Sequence, residues 1–230
     1  MIRAISARTW RGLIVAAGVT GLVLGWGPPS DMLAPLVFFT DQSNILVAAY
    51  FTFVLLYPAG LRLAAIRESA ALRGAITLYI VITGLVFHFV LATDKDPLHL
   101  LISPVNRTEN IGTFLLHYTV PVMAVIDFLV VERRGRYQWR YAAIWLCYPL
   151  AYLGYALIRG AFFTVGSYPY PFLDVTEHGY GGVLVNVVEY AVFFYLLGLA
   201  VTGLGRWTRA RGATGVASAG ADEAVTGTGS

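Results

Sequence analysis

Residues 74–92 read GAITLYIVITGLVFHFVLA, with no Lys, Arg, Asp or Glu among them. At about 1.5 Å per residue, a helix of this length crosses most of a bilayer's hydrocarbon core of about 30 Å. A surface helix of a soluble domain would set a polar face against its apolar one. A barrel strand would be half as long and would alternate. The run is continuous and apolar all round, so it predicts a membrane-spanning helix. Working outward from it, five further runs qualify at 13–27, 40–61, 112–131, 141–161 and 182–204. Across the 230 residues, 57% are hydrophobic and only 13% are charged. A soluble domain carries about 25% charged residues, so composition also requires a solvent other than water. The predicted fold is an all-α membrane protein, a single bundle of six transmembrane helices.

The loops set the orientation. Arg3, Arg8, Arg11, Arg62, Arg67, Arg73, Arg133, Arg134, Arg136, Arg140, Arg206, Arg209 and Arg211 fall on one side, and only Lys95, Arg107 and Arg159 on the other. Positive charge marks the cytoplasmic face, so both termini are predicted there, with the loops 28–39, 93–111 and 162–181 outside. The first run is the shortest. Trp26-Gly27-Pro28-Pro29 gives it no small-residue cleavage site, which predicts a retained span rather than a secretory signal. Residues 1–207 are expected to form the transmembrane domain. Residues 208–230, rich in Gly, Ala, Ser and Thr, are expected to form a disordered cytoplasmic tail. A disulfide scaffold is excluded because Cys147 is the only cysteine. The basic residues are scattered along the chain, which argues against a nucleic-acid partner.

Ionisable and polar groups inside a membrane are costly, and they usually face a bundle interior or a wet cavity. Thr40, Ser43 and Asn44 open the second span on one helix face. His88 lies near the outer end of the third, His117 and Tyr118 a turn into the fourth, and Asn186 and Glu189 near the outer end of the sixth. Asp127 alone lies deeper. The concentration predicts an outward-facing polar pocket. Three spans begin at that face, so their positive dipole ends point into it and favour a developing anion and a neutral imidazole. Each residue also has an ordinary reading. Thr40 could be a helix N-cap, Ser43, Asn44 and His117 interhelical hydrogen-bond partners, and His88 a structural partner of Glu189. Metal binding is disfavoured, since no span carries His-x3-His or His-x2-Glu spacing. A haem held by His88 and His117 has no motif behind it.

Three stretches together resemble a known family: Phe38-Phe39-Thr40-Asp41-Gln42-Ser43-Asn44, Leu115-Leu116-His117-Tyr118-Thr119-Val120-Pro121, and Tyr168-Pro169-Tyr170-Pro171-Phe172-Leu173-Asp174. Their order and spacing are similar to those of the androgen-induced and androgen-dependent TFPI-regulating protein family and its bacterial relatives, over roughly residues 10–205. The resemblance implies a six-span hydrolase of fatty acid esters of hydroxy fatty acids in a bacterial plasma membrane. It implies Thr40 as nucleophile and His117 as base, with no cofactor. Ser43, Asn44 or helix-terminal N–H groups would then bind the oxyanion, and His88, Asn186 or Glu189 would orient His117. No chemical role comes with the Tyr168–Asp174 stretch. The polar run after Thr40 predicts a polar pocket entrance. The rival expectations are a non-catalytic lipid-binding protein and a transporter with a proton path through Asp127 and Glu189.

Overall fold

The computed structural model describes residues 2–25, 34–57, 69–92, 96–131, 135–163 and 168–226, and among them it contains helices and no strand. Six long helices run through it: α1 (Ile2–Gly25), α2 (Phe39–Leu56), α3 (Ala70–Leu91), α4 (Arg107–Val131), α5 (Arg140–Phe163) and α6 (Val175–Thr226), the last kinked at Gly179, whose backbone (φ 64°, ψ 169°) is not helical. Five of them, α2 to α6, are long and apolar enough to cross a membrane. The sixth expected span, α1, differs because Arg8 and Arg11 occupy its first turns and its apolar run begins only at Leu13. Residues 26–27 and 58–61, expected to complete the first two spans, lie outside the described residues. The last helix continues to Thr226, through most of the stretch expected to be disordered.

Helix α3 is the central element. It packs on α2, α4 and α6, and half of its most apolar window is buried, against 11% for α6. The two helices are almost equally apolar, so the contrast comes from packing: α3 has neighbours on several sides, and α6 leaves most of its apolar surface uncovered. Two apolar clusters surround it. One gathers Ile14, Val47, Ile80 and Val120 from α1 to α4. The other gathers Leu78, Ile82, Trp145, Tyr152 and Tyr170 from α3, α5 and the segment before α6. Trp145 lies where a Cβ on Gly74 would stand, and its indole donates to the Ala71 carbonyl at 2.8 Å. Pro149 has no N–H to offer the Trp145 carbonyl one turn back, and the Tyr79 phenol donates to it instead, at 3.1 Å.

Helices α1 and α4 cross almost backbone to backbone. A Cβ on Gly112 would stand 2.9 Å from the Gly25 nitrogen and 3.0 Å from the Gly21 carbonyl oxygen. Small residues at such a crossing, here in Gly21-x3-Gly25 spacing, let helices associate in lipid by close packing. Gly112→Val should force the pair apart and destabilise the protein by about 1–3 kcal/mol, the usual range for overpacking. Thermal unfolding in detergent measures this, and a midpoint equal to wild type would contradict the crossing.

At the end of the bundle opposite Thr40, three charged side chains are buried together. Arg11, Arg73 and Asp127 are 6%, 5% and 2% exposed. Arg11 Nε donates to Asp127 Oδ1 at 2.9 Å, and Arg73 Nη2 donates to the backbone carbonyls of Asp127 and Phe128, both at 2.9 Å. Arg11 and Arg73, which the loop count assigned to the aqueous face, therefore staple α1 and α3 to the end of α4. Asp127 is the centre of that staple.

Candidate active site

Thr40 sits inside the first turn of α2. The residue capping the helix is Phe38, whose side chain makes no capping hydrogen bond. The N-cap reading of Thr40 is thereby set aside, and its hydroxyl turns toward α4. Thr40 Oγ1 lies 3.2 Å from His117 Nε2, and His117 Nδ1 lies 2.9 Å from the Thr113 carbonyl oxygen. A carbonyl only accepts, so Nδ1 carries the imidazole proton and Nε2 presents its lone pair to the threonine hydroxyl. The ring is held from one face by Phe87, stacked at a centroid distance of 3.8 Å. A hydroxyl donating to a base, itself oriented by a third group, is the arrangement nucleophilic catalysis requires.

Local helix chemistry produces this geometry. Pro121 cannot continue the α-helical hydrogen-bond ladder, and the turn Leu115–Thr119 before it widens into a π turn, where the Val120 N–H reaches the Leu115 carbonyl five residues back. In that register the Leu116 carbonyl would pair with Pro121, which has no donor. Asn44 Nδ2 supplies one at 3.3 Å, and it also donates to the Thr40 carbonyl at 2.9 Å. Asn44 thus ties the helix of Thr40 to the helix of His117. Close approach of α3 supports the same turn, since a Cβ on Gly84 would meet the His117 carbonyl oxygen at 3.0 Å.

The other predicted site residues fall elsewhere. Asn44 is spent on two backbone carbonyls, and neither it nor Ser43 lines the pocket beside Thr40. His88 Nδ1 pairs with the Tyr118 hydroxyl at 3.2 Å rather than with His117 or Glu189. Asn186 donates to the Phe172 carbonyl at 2.9 Å, bracing the segment before α6. Glu189 is exposed, on the same stretch of α6 as the exposed Val185, Val188 and Val192. The orienting group for His117 is the Thr113 carbonyl, which no side-chain pattern could announce. Among the described residues no three potential ligands gather as a metal site would need.

Thr40 opens into an open-mouthed pocket between α3, α5 and α6. Among the described residues none that lines it is charged, and most are aliphatic or aromatic. The expected polar entrance is therefore not what the fold builds. Gln42 is drawn aside, donating to the Leu36 carbonyl at 2.7 Å and accepting from the Tyr148 phenol at 3.0 Å, and Ser43 is buried away from the pocket. Helices α5 and α6 pack together through Arg140–Ile144. Farther along, Leu146, Leu150 and Leu153 face Val187, Ala191 and Phe194 across the pocket, and Leu150 is exposed.

Tyr170, to which the motif reading gave no role, reaches the site from the segment before α6. Its phenol oxygen accepts from the Phe39 N–H at 3.0 Å. Tyr152 lies beside it and donates to the Val37 carbonyl at 2.9 Å. Asp174, four residues on, accepts from the Thr176 hydroxyl and N–H, and these bonds hold its carboxyl below the usual carboxylate range. It caps the start of α6, so the acid ending that motif is structural. No family model, curated protein or solved structure matches the chain.

Proposed function

We propose that the protein is an intramembrane hydrolase of lipid esters, with Thr40 as nucleophile and His117 as general base. The 3.2 Å contact between Thr40 Oγ1 and an imidazole whose other nitrogen is committed to Thr113 carries the reading. In the reaction, Thr40 Oγ attacks the ester carbonyl as its proton passes to His117 Nε2. The tetrahedral intermediate collapses when His117 returns that proton to the leaving alcohol, and water then attacks the acyl-threonine by the same route. The N-terminal turn of α2 offers its positive end to the charge that develops. The apolar pocket supports a long acyl chain as the group transferred.

The proposed setting is a bacterial plasma membrane crossed six times, with both termini in the cytoplasm. The close α1–α4 crossing and the Arg11–Asp127 staple support α1 as a sixth span, since a helix packed this way shares the depth of its neighbours. The loop-charge asymmetry supports an outward-facing site. The resemblance of the Thr40, His117 and Tyr170 stretches to hydrolases of fatty acid esters of hydroxy fatty acids supports that substrate class.

The test is turnover of a long-chain acyl 4-methylumbelliferyl ester by purified protein in liposomes, alongside Thr40→Val. Hydrolysis by wild type and none by the variant is expected. Intact lipid recovered from a folded but inactive wild type would favour the lipid-binding reading, to which the apolar pocket is equally suited. The gap between α5 and α6 is the expected entry for the chain. Leu150→Trp together with Ala191→Trp should lower kcat/KM for a sixteen-carbon ester by roughly tenfold, about 1.4 kcal/mol, and leave a four-carbon ester nearly unchanged. Equal loss for both esters would place entry elsewhere.

A further inference from the structure

Ester chemistry at the Thr–His pair also calls for a side-chain donor to the oxyanion, beside the positive end of α2. The side chains expected to donate do not reach it. Asn44 Nδ2 is committed to the Leu116 and Thr40 carbonyls, Ser43 does not line the pocket, and the Tyr152 phenol donates to Val37. Tyr170 is differently placed. It lines the pocket beside Thr40, it is 8% exposed, and its oxygen already accepts the Phe39 N–H. The Thr40 hydroxyl and the Phe39 and Thr40 backbone groups all face it. We propose that Tyr170 is a catalytic residue of this site, its phenol O–H donating to the oxyanion of the tetrahedral intermediate formed on Thr40.

The inference rests on the hydrolase reading, and three features argue for it. First, the accepted N–H occupies one lone pair, and the phenol still carries an O–H that can donate to a neighbouring oxygen. The N–H comes from the positive end of α2, which withdraws electron density from the phenol and strengthens its donation to an anion. Second, the ring is fixed before substrate arrives. Tyr170 has extended backbone (φ −137°) between Pro169 and Pro171, a 3₁₀ turn (Pro171–Leu173) follows it, and its ring stacks on Phe172 at 5.3 Å and 5°. A donor held in place without reorganisation is what stabilises a transition state. Third, burial pushes its pKa above the ordinary tyrosine value, against the opposing effect of the Thr40 and Phe39 groups, so the phenol keeps its proton at neutral pH. When Thr40 Oγ bonds to the carbonyl carbon, the carbonyl π pair moves onto oxygen, the threonine proton goes to His117, and Tyr170 stabilises the new charge without itself being deprotonated.

The experiment is ester hydrolysis in liposomes by wild type, Thr40→Val, Tyr170→Phe, and protein carrying a ring-fluorinated tyrosine at 170. Tyr170→Phe should lower kcat by about 10²-fold with KM within about twofold. The fluorinated tyrosine keeps an acceptor for the Phe39 N–H while making the phenol more acidic, so kcat should change with fluorination while thermal stability does not. Tyr170→Phe with near-wild-type kcat would overturn the proposal. So would a kcat that falls with thermal stability in Tyr170→Phe and ignores fluorination, because that pattern belongs to a brace for α2. Either result leaves the hydrolase reading intact so long as Thr40→Val is dead. A wild type with no activity sinks both.

Discussion

His117→Ala should lower kcat for ester hydrolysis by at least ~10⁴-fold, and Thr40→Val should do the same, with the double variant little worse than either alone. An unassisted threonine hydroxyl is a poor nucleophile at neutral pH. It becomes competent only when its proton has somewhere to go as the C–O bond forms, and His117 Nε2 at 3.2 Å is that place. The two residues act in one step, so their losses overlap instead of adding. Their structural contribution is small by comparison. A neutral interhelical hydrogen bond is worth about 1 kcal/mol, so both variants should unfold within a few degrees of wild type. Thr40→Ser, which keeps the hydroxyl, should keep measurable turnover. An inactive variant that remains folded separates chemistry from packing, and steady-state kinetics with parallel thermal unfolding reads both.

Asp127→Ala should destabilise the protein by about 3–5 kcal/mol, the range for removing one partner of a buried ion pair. The cost comes from what stays behind. Two buried guanidinium groups lose their carboxylate in a medium that solvates charge poorly. Arg11 Nε loses its 2.9 Å acceptor, and Arg73 loses the charge 3.9 Å from its Nη2. Asp127→Asn keeps a side-chain oxygen for Arg11 and should fall between alanine and wild type. Equilibrium unfolding in detergent measures the series. Hydrolysis per folded molecule should be little affected, because the staple and Thr40 lie at opposite ends of the bundle. The staple also bears on the transport alternative. A proton path through these two would need them to share a route, whereas Asp127 is buried between two arginines and Glu189 stands exposed on α6.

The sequence was legible where the signal is local. Apolar runs located α2 to α6 to within a few residues at most ends, because the length needed to cross a bilayer is a property of each run alone. Depth placed Thr40 and His117 among several polar residues near one end of the spans, and the motif resemblance singled out the two; the structure brings their side chains to 3.2 Å. The supporting residues were not found, for physical reasons. Which way Glu189 or Ser43 points depends on the rotation of a helix about its axis, and a helix apolar on every face carries little periodic signal to fix that rotation. Depth left His88 as a candidate to orient His117 or to pair with Glu189, and packing gave it to Tyr118. The Thr113 carbonyl is backbone, and the sequence announces it only indirectly, through Pro121 and the π turn the proline favours. Tyr170 is 130 positions from Thr40, and its clue was a tyrosine fixed between two prolines beside a pocket that packing alone creates. Arg11 and Arg73 were counted as surface charge because loop arithmetic does not register burial.

The central claim is an activated threonine, and covalent labelling tests it most directly. Detergent-purified protein would be treated with a fluorophosphonate probe, which reacts with activated hydroxyl nucleophiles, and the adduct mapped by peptide mass spectrometry. Labelling at Thr40 in wild type, and its loss in His117→Ala, is the predicted result. Folded wild type that takes up no label, or takes it up equally with His117 absent, would contradict the claim and leave the Thr40–His117 contact as a hydrogen bond between two helices.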